Sequence, residues 1–153
     1  MVKLICIGQV ISSMAITTYD ALDEIISLIK SKWSNLRPPN LTRIWDKRTV
    51  GFIDDRADQV LLSPKGEDIE YFGLGGSAFF HNQIVELEIR TYQDIKRHNN
   101  VVKEIVSIIK NNIVNSDYTY TDLRVIGSFS KNYTMRNMFI YVVTLSYRKC
   151  NPA

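Results

Sequence analysis

The chain has little of what many small specialised proteins depend on. Its 153 residues include two cysteines, Cys6 and Cys150, near opposite ends. Two are too few for a disulfide scaffold or a four-cysteine zinc site. The two histidines, His81 and His98, make no recognisable metal-ligand spacing with them. No apolar run approaches the roughly 18 residues of a membrane span, and neither an internal repeat nor a low-complexity tract occurs. No serine or cysteine sits in a Gly-x-Ser-x-Gly context, where a strained turn would expose a nucleophile. What is there is ordinary for a globular chain, 45% hydrophobic and 23% charged residues. That balance argues against a disordered, collagen-like or coiled-coil chain. A length near 150 residues predicts one domain over 1–153, able to bury roughly 70% of its unfolded surface.

Charge is uneven along the chain. Residues 1–80 carry 9 basic and 10 acidic side chains, and residues 81–153 carry 10 and 6. From Lys131 to Lys149 the cations Lys131, Arg136, Arg148 and Lys149 occur with no acid between them. Such a stretch can attract nucleic acid or an acidic partner, although a solvated loop and strand end explain it equally simply. At the N-terminus, Gly8 and Gln9 break the apolar run Leu4 to Ile11 and only Lys3 precedes it, a poor secretory signal. Residues 1–15 read as an arm or short strand. The expectation is a protein made inside a cell with both thiols reduced.

Periodicity supplies the elements. Leu22, Ile25, Ile26, Ile29 and Trp33 recur at helical spacing after a Thr17 cap, with Pro38-Pro39 as the expected stop. Leu41 to Trp45 and Gln59 to Ser63 read as short strands, the second stopped by Pro64 and turned by Lys65-Gly66. Ile69 to Phe72 is its candidate hairpin partner. Gln83 to Tyr92 alternates: Val85, Leu87, Ile89 and Thr91 on one face, Glu86, Glu88, Arg90 and Tyr92 on a wet one. A second helix starts at the cap Asp94 and runs to about Asn112, with Ile95, His98, Val102, Ile105 and Ile109 as its stripe. Tyr120 to Phe129, with Leu123, Val125 and Phe129 on one face, and Phe139 to Arg148 close the chain, joined by the loop Lys131 to Met138. The expected class is α+β, a mainly antiparallel sheet with two helices packed on it, in the order α-β-β-(β)-β-α-β-β.

Each cluster with apparent chemistry has a simpler explanation. Gly73-Leu74-Gly75-Gly76-Ser77-Ala78 matches a dinucleotide-loop pattern, but it leads into a strand and not into the helix whose N-terminus would hold phosphate. Glu86 and Glu88 lie about 7 Å apart on one strand face, a spacing open to acid/base work and also to any solvated strand. Asp54, Asp55 and Asp58 lack the glycine and closing glutamate of a calcium loop. His98 falls on an inward helix stripe and reads as a hydrogen-bonded core histidine. Tyr118, Tyr120, Tyr133, Tyr141 and Tyr147 suit base stacking, a protein interface or plain strand propensity. No catalytic residue, cofactor or metal is assigned, and the expectation is that the chain is not an enzyme.

Several of these features together carry a likeness to a known family. The opening helix Thr17-Thr18-Tyr19-Asp20-Ala21-Leu22, the strand ending Glu88-Ile89-Arg90-Thr91-Tyr92, the Asp94 helix and the hairpin through Tyr141-Val142-Val143-Thr144-Leu145 resemble tail terminator (tail-completion) proteins of long-tailed viruses of bacteria and archaea. The likeness covers about residues 15–149 and rests on pattern and order. It implies a virion tail protein made in the host cytoplasm. Six copies would form a ring that caps the tail tube, ends its polymerisation and meets the neck proteins. Gly73–Asn82 and Lys131–Met138 are the candidate contacts, with Gly73, Gly75, Gly76, Lys131, Tyr133 and Arg136 as interface residues. No membrane partner is implied. A nucleic-acid-binding module built on the basic hairpin, or a head–tail connector, is the rival reading.

Overall fold

The structure is a computed structural model that describes residues 18–34, 37–43, 58–72, 78–92, 94–114, 120–133 and 138–149. Its elements are α1 (Thr18–Lys32), β1 (Asn40–Arg43), β2 (Gln59–Phe72), β3 (Ala78–Tyr92), α2 (Ile95–Asn111), β4 (Tyr120–Tyr133) and β5 (Met138–Lys149). The strands form one sheet in the order β1-β2-β3-β5-β4. The pairs β2–β3, β3–β5 and β4–β5 are antiparallel. β1 joins β2 in parallel over Asn40–Arg43. The α+β class and the order of elements are as the periodicity predicts, with the optional extra strand absorbed into β2.

That absorption corrects one expectation. Pro64 does not stop β2 and Ile69 to Phe72 is not a separate hairpin arm, because the strand runs through both. The register with β3 slips between Pro64 and Gly66, leaving Lys65 as the extra residue of a bulge. Gly66 adopts φ +146°, a conformation that L side chains rarely take. β1 covers β2 only as far as Leu62, so Pro64 falls at a bulge on the sheet margin, where a missing N–H costs the ladder least. β3 likewise starts at Ala78, five residues before the alternation becomes visible.

Both helices lie on one face of the sheet. Ala21, Leu22, Ile25, Leu28 and Ile29 of α1 and Val101, Ile105, Ile108 and Ile109 of α2 join one core with Val60, Leu62, Val85, Leu87, Ile89, Leu123, Val143, Leu145 and Tyr147. α1 ends at Lys32, ahead of the prolines. There Ser31 Oγ donates to the Leu28 carbonyl at 3.0 Å, and Ser34 donates from its N–H and Oγ to Glu104 Oε1 at 3.1 and 2.7 Å. Serine hydroxyls compete with the helix ladder in this way, and here they also fasten the end of α1 to α2. The Thr17 cap, the N-terminal arm and Ile44-Trp45 fall outside the described residues.

α2 starts as predicted, with the Asp94 carboxylate accepting from the N–H groups of Lys96 (2.9 Å) and Arg97 (3.2 Å). Its inward stripe is rotated from the expected one: His98, Val101, Ile105, Ile108 and Ile109 are buried, whereas Ile95 is 49% exposed. Both phases share positions 98, 105 and 109, so spacing alone did not separate them.

The opposite sheet face differs more from expectation. Glu86 and Glu88 are buried, as are Leu61, Met138, Ile140 and Val142 on the same side. The carboxylates are held by cations: Lys65 Nζ stands 3.1 Å from Glu86 Oε2, and Arg90 reaches Glu88 Oε2 at 3.4 Å. Alternation marks two chemically distinct faces but not which of them water reaches.

Core packing predicts a contrast on α2. Ile105→Ala should lower the unfolding free energy by about 2–5 kcal/mol through the cavity it leaves. Ile95→Ala, near the exposed first turn, should stay within about 1 kcal/mol of the parent. Urea unfolding of the two variants measures both; equal losses would put the inward face of the helix at the expected phase instead.

Candidate functional site

The six interface residues expected from the sequence belong to two connections, one between β2 and β3 and one between β4 and β5. Gly73, Gly75, Gly76 and Arg136 lie outside the described residues. Lys131 and Tyr133 are not in a loop: they continue β4, opposite Ile140 and Met138 of β5. Lys131 is exposed, and Tyr133 is described by its backbone alone. At the other connection, residues Ala78–Asn82 are strand, so the candidate loop is shorter than Gly73–Asn82. The strand that follows the glycines replaces the helix that a dinucleotide loop needs, as the sequence indicated.

The sheet keeps these two connections apart. β3 begins at Ala78, beside the glycine segment, and ends at Tyr92, opposite Met138. Fifteen residues of strand at about 3.3 Å each set the two ends roughly 45 Å apart. The cations divide in the same way. Lys131 pairs with Ile140 while Arg148 pairs with Asp122, a separation of roughly 27 Å along β5. Arg148 Nε donates to Asn82 Oδ1 at 2.8 Å in a half-buried position. The single basic patch of the sequence is therefore not one patch in the fold.

The other sequence candidates are occupied structurally. Asp58 accepts from Arg97 Nε at 2.9 Å, and Arg97 also donates to the Arg37 carbonyl. This fastens α2 to the start of β2 and uses the carboxylate proposed for a cation. Asp54 and Asp55 lie outside the described residues, and among the described residues no three His, Cys, Asp or Glu side chains converge. Tyr147 is fully buried and unavailable for stacking. Tyr141 donates its hydroxyl to Ser128 Oγ at 2.8 Å.

Two features remain that the sequence did not foretell. The first is an open groove of about 420 Å³ between the first half of α2 and the β4–β5 hairpin, lined by His98, Asn99, Lys103, Ser130 and Tyr141 among others. At its floor His98 is buried, with Nδ1 sharing a 2.6 Å hydrogen bond with Thr91 Oγ1. Its ring lies 5.7 Å from that of Phe139. Burial holds the imidazole pKa below its ordinary value, with the nearby Asp58 charge opposing the shift. The hydrogen-bonded core histidine expected from the sequence is what the fold contains.

The second is the outer margin of the sheet. β4 has no strand on its outer side among the described residues. Its register slips between Val125 and Gly127, so Ile126 is left unpaired. The slip also reverses the alternation. Leu123 is buried against the helices with Val125 packed beside it, whereas Phe129, expected on that same face, lies opposite Val142 on the other. Ile126 and Phe129 are each 55% exposed. A Cβ added at Gly127 would meet nothing within 4 Å. The one sequence signal was Gly127 itself, since glycine within a strand often marks a bulge or the close approach of another backbone.

Because burial favours neutral His98, the unfolded chain binds the extra proton between the lowered native pKa and the unfolded value of roughly 6.5. Stability therefore rises with pH across that window and is lost as pH falls below about 6.5. Urea unfolding from pH 7.5 to 5.5 should show this loss, and His98→Gln should flatten it. Identical slopes in parent and variant would assign the pH dependence to another group.

No family model matches the chain. No curated protein matches it. Among solved structures it is similar to a chain of "Virion of native gene transfer agent (GTA) particle", at 9% identity and a TM-score of 0.45, over 93% of this chain and 98% of that one. No described helix is long and apolar enough to cross a membrane.

Proposed function

We propose that this chain is a structural virion protein, and specifically a tail terminator: a ring of six copies that caps the tail tube, ends its polymerisation and joins the tail to the neck. The reading assigns it no catalytic step, no cofactor and no membrane partner. It places the protein in the virion tail after synthesis in the host cytoplasm. The observation that carries it is the division of labour in the sheet. Two connections flank it at ends roughly 45 Å apart, and its lateral margin exposes Ile126 and Phe129. A terminator needs two axial surfaces, one for the tube and one for the neck, and a lateral contact repeated around a closed axis. A sheet whose strands run along the ring axis supplies all three. The Thr18 helix, the Glu88–Tyr92 strand end, the Asp94-capped helix and the Tyr141–Leu145 strand, on which the family resemblance rests, are all elements of this fold.

The nucleic-acid reading has less support, since Lys131 and Arg148 stand at opposite ends of the hairpin and Arg148 is bonded to Asn82. Light scattering after size exclusion, with negative-stain microscopy, should find a closed ring of six. A gel-shift titration at two salt concentrations should find no binding in the micromolar range. Tight binding that weakens steeply with salt, the signature of phosphate contacts, would favour the rival.

A further inference from the structure

We infer that the lateral contact between copies is made by strand addition, the outer edge of β4 in one copy pairing antiparallel with the Glu67–Phe72 stretch of β2 in the next. Closure into a ring rests on the reading above; the pairwise contact rests on the two edges alone.

The sheet has two long free margins among the described residues. One is β4. The other is the part of β2 beyond Leu62, which β1 does not cover. An open strand edge offers a row of backbone donors and acceptors, and pairing with another chain is its most direct satisfaction. β4 is open along its outer side from Tyr120 to Tyr133, and β2 over residues 63–72, so each margin is long enough to pair. In β4, Val125–Ser130 lies between Arg124 and Lys131; in β2, Glu67–Phe72 begins just past the Pro64–Gly66 bulge.

Charge selects which edges meet. Glu67, Asp68 and Glu70 lie along the β2 margin, so two such margins facing each other would oppose acids. Two β4 margins paired about Gly127 and Ser128 would set Lys131 against Arg124 of the second copy, which Asp122 offsets in part at 2.6 Å, again like against like. Only the mixed pairing brings acids to a strand flanked by cations. Strand direction agrees. The pairs β2–β3, β3–β5 and β5–β4 are all antiparallel, so β4 runs opposite to β2. A copy displaced sideways without inversion therefore presents its β2 antiparallel to β4. Such a contact is heterologous, the kind that closes into rings. It also covers Ile126 and Phe129, the apolar residues this margin leaves in water.

The test uses the full chain with Cys6→Ser and Cys150→Ser, carrying either Asp68→Cys or Phe129→Cys, positions that face each other when the two segments pair antiparallel, and a short bismaleimide. Asp68 and Phe129 are exposed, and far-UV circular dichroism checks that each variant folds. Cross-linked dimer is expected when the two variants are mixed, a ladder when both cysteines share one chain, and monomer from either variant alone. Dimer from Phe129→Cys alone, or none from the mixture, overturns the inference. The unmodified protein provides a second measurement. Carbodiimide coupling of a 1:1 mixture of ¹⁵N-labelled and unlabelled chains should yield mixed-isotope peptides joining Lys131 to the 67–70 segment, and their absence overturns it as well. A closed hexamer without these links removes the contact and leaves the ring reading intact. Links within an open oligomer keep the contact and remove the ring.

Discussion

From Val85 to Ile89 strand β3 is hydrogen-bonded along both edges and buried on both faces, and the other elements are arranged to meet that condition. Its backbone pairs with β2 on one side and β5 on the other. Val85, Leu87 and Ile89 need an apolar cover, which both helices supply. Glu86 and Glu88 need counter-charges, which Lys65 and Arg90 supply. Removing either cation weakens the compensation of a buried carboxylate. The bulge in β2 belongs to the same arrangement, because Lys65 is its extra residue and carries the ammonium to Glu86.

The helices are fastened as well as packed. Arg97 and His98 tie the first turn of α2 to Asp58 and Thr91, and Glu104 ties its middle to Ser34. These contacts hold α2 over β3, while Ile126 and Phe129 of β4 stay exposed. Interior and margin thus have different characters: a fully committed centre, and an edge with no further strand among the described residues and with Ile126 and Phe129 exposed. That contrast suits a subunit that folds first and assembles second.

Much of the fold was legible in the sequence because long amphipathic periods are local. The helix from Leu22, the Asp94 cap and the strand over Phe139 to Arg148 all follow from spacing and side-chain chemistry. Errors occurred where two local readings were degenerate or a single residue shifted the register. Ile95 and Val101 both extend the 98–105–109 stripe. Pro64 reads as a stop unless its place on the sheet margin is known. One bulge at Val125–Gly127 moved Phe129 to the other face. The separation of the glycine and hairpin connections and the exposed margin of β4 were not legible, because both depend on strand order.

The sequence by itself determined the class, the order of the elements and the apolar face of β3 at Val85, Leu87 and Ile89, because these depend on neighbours within about ten residues of chain. Only the tertiary structure decided that the polar face of β3 would be dry, that Lys131 and Arg148 would stand at two ends of the hairpin, and that Ile126 and Phe129 would be exposed on β4. Each of those outcomes depends on which strand lies beside which. Strand order is set by contacts between distant segments, and no local pattern encodes it.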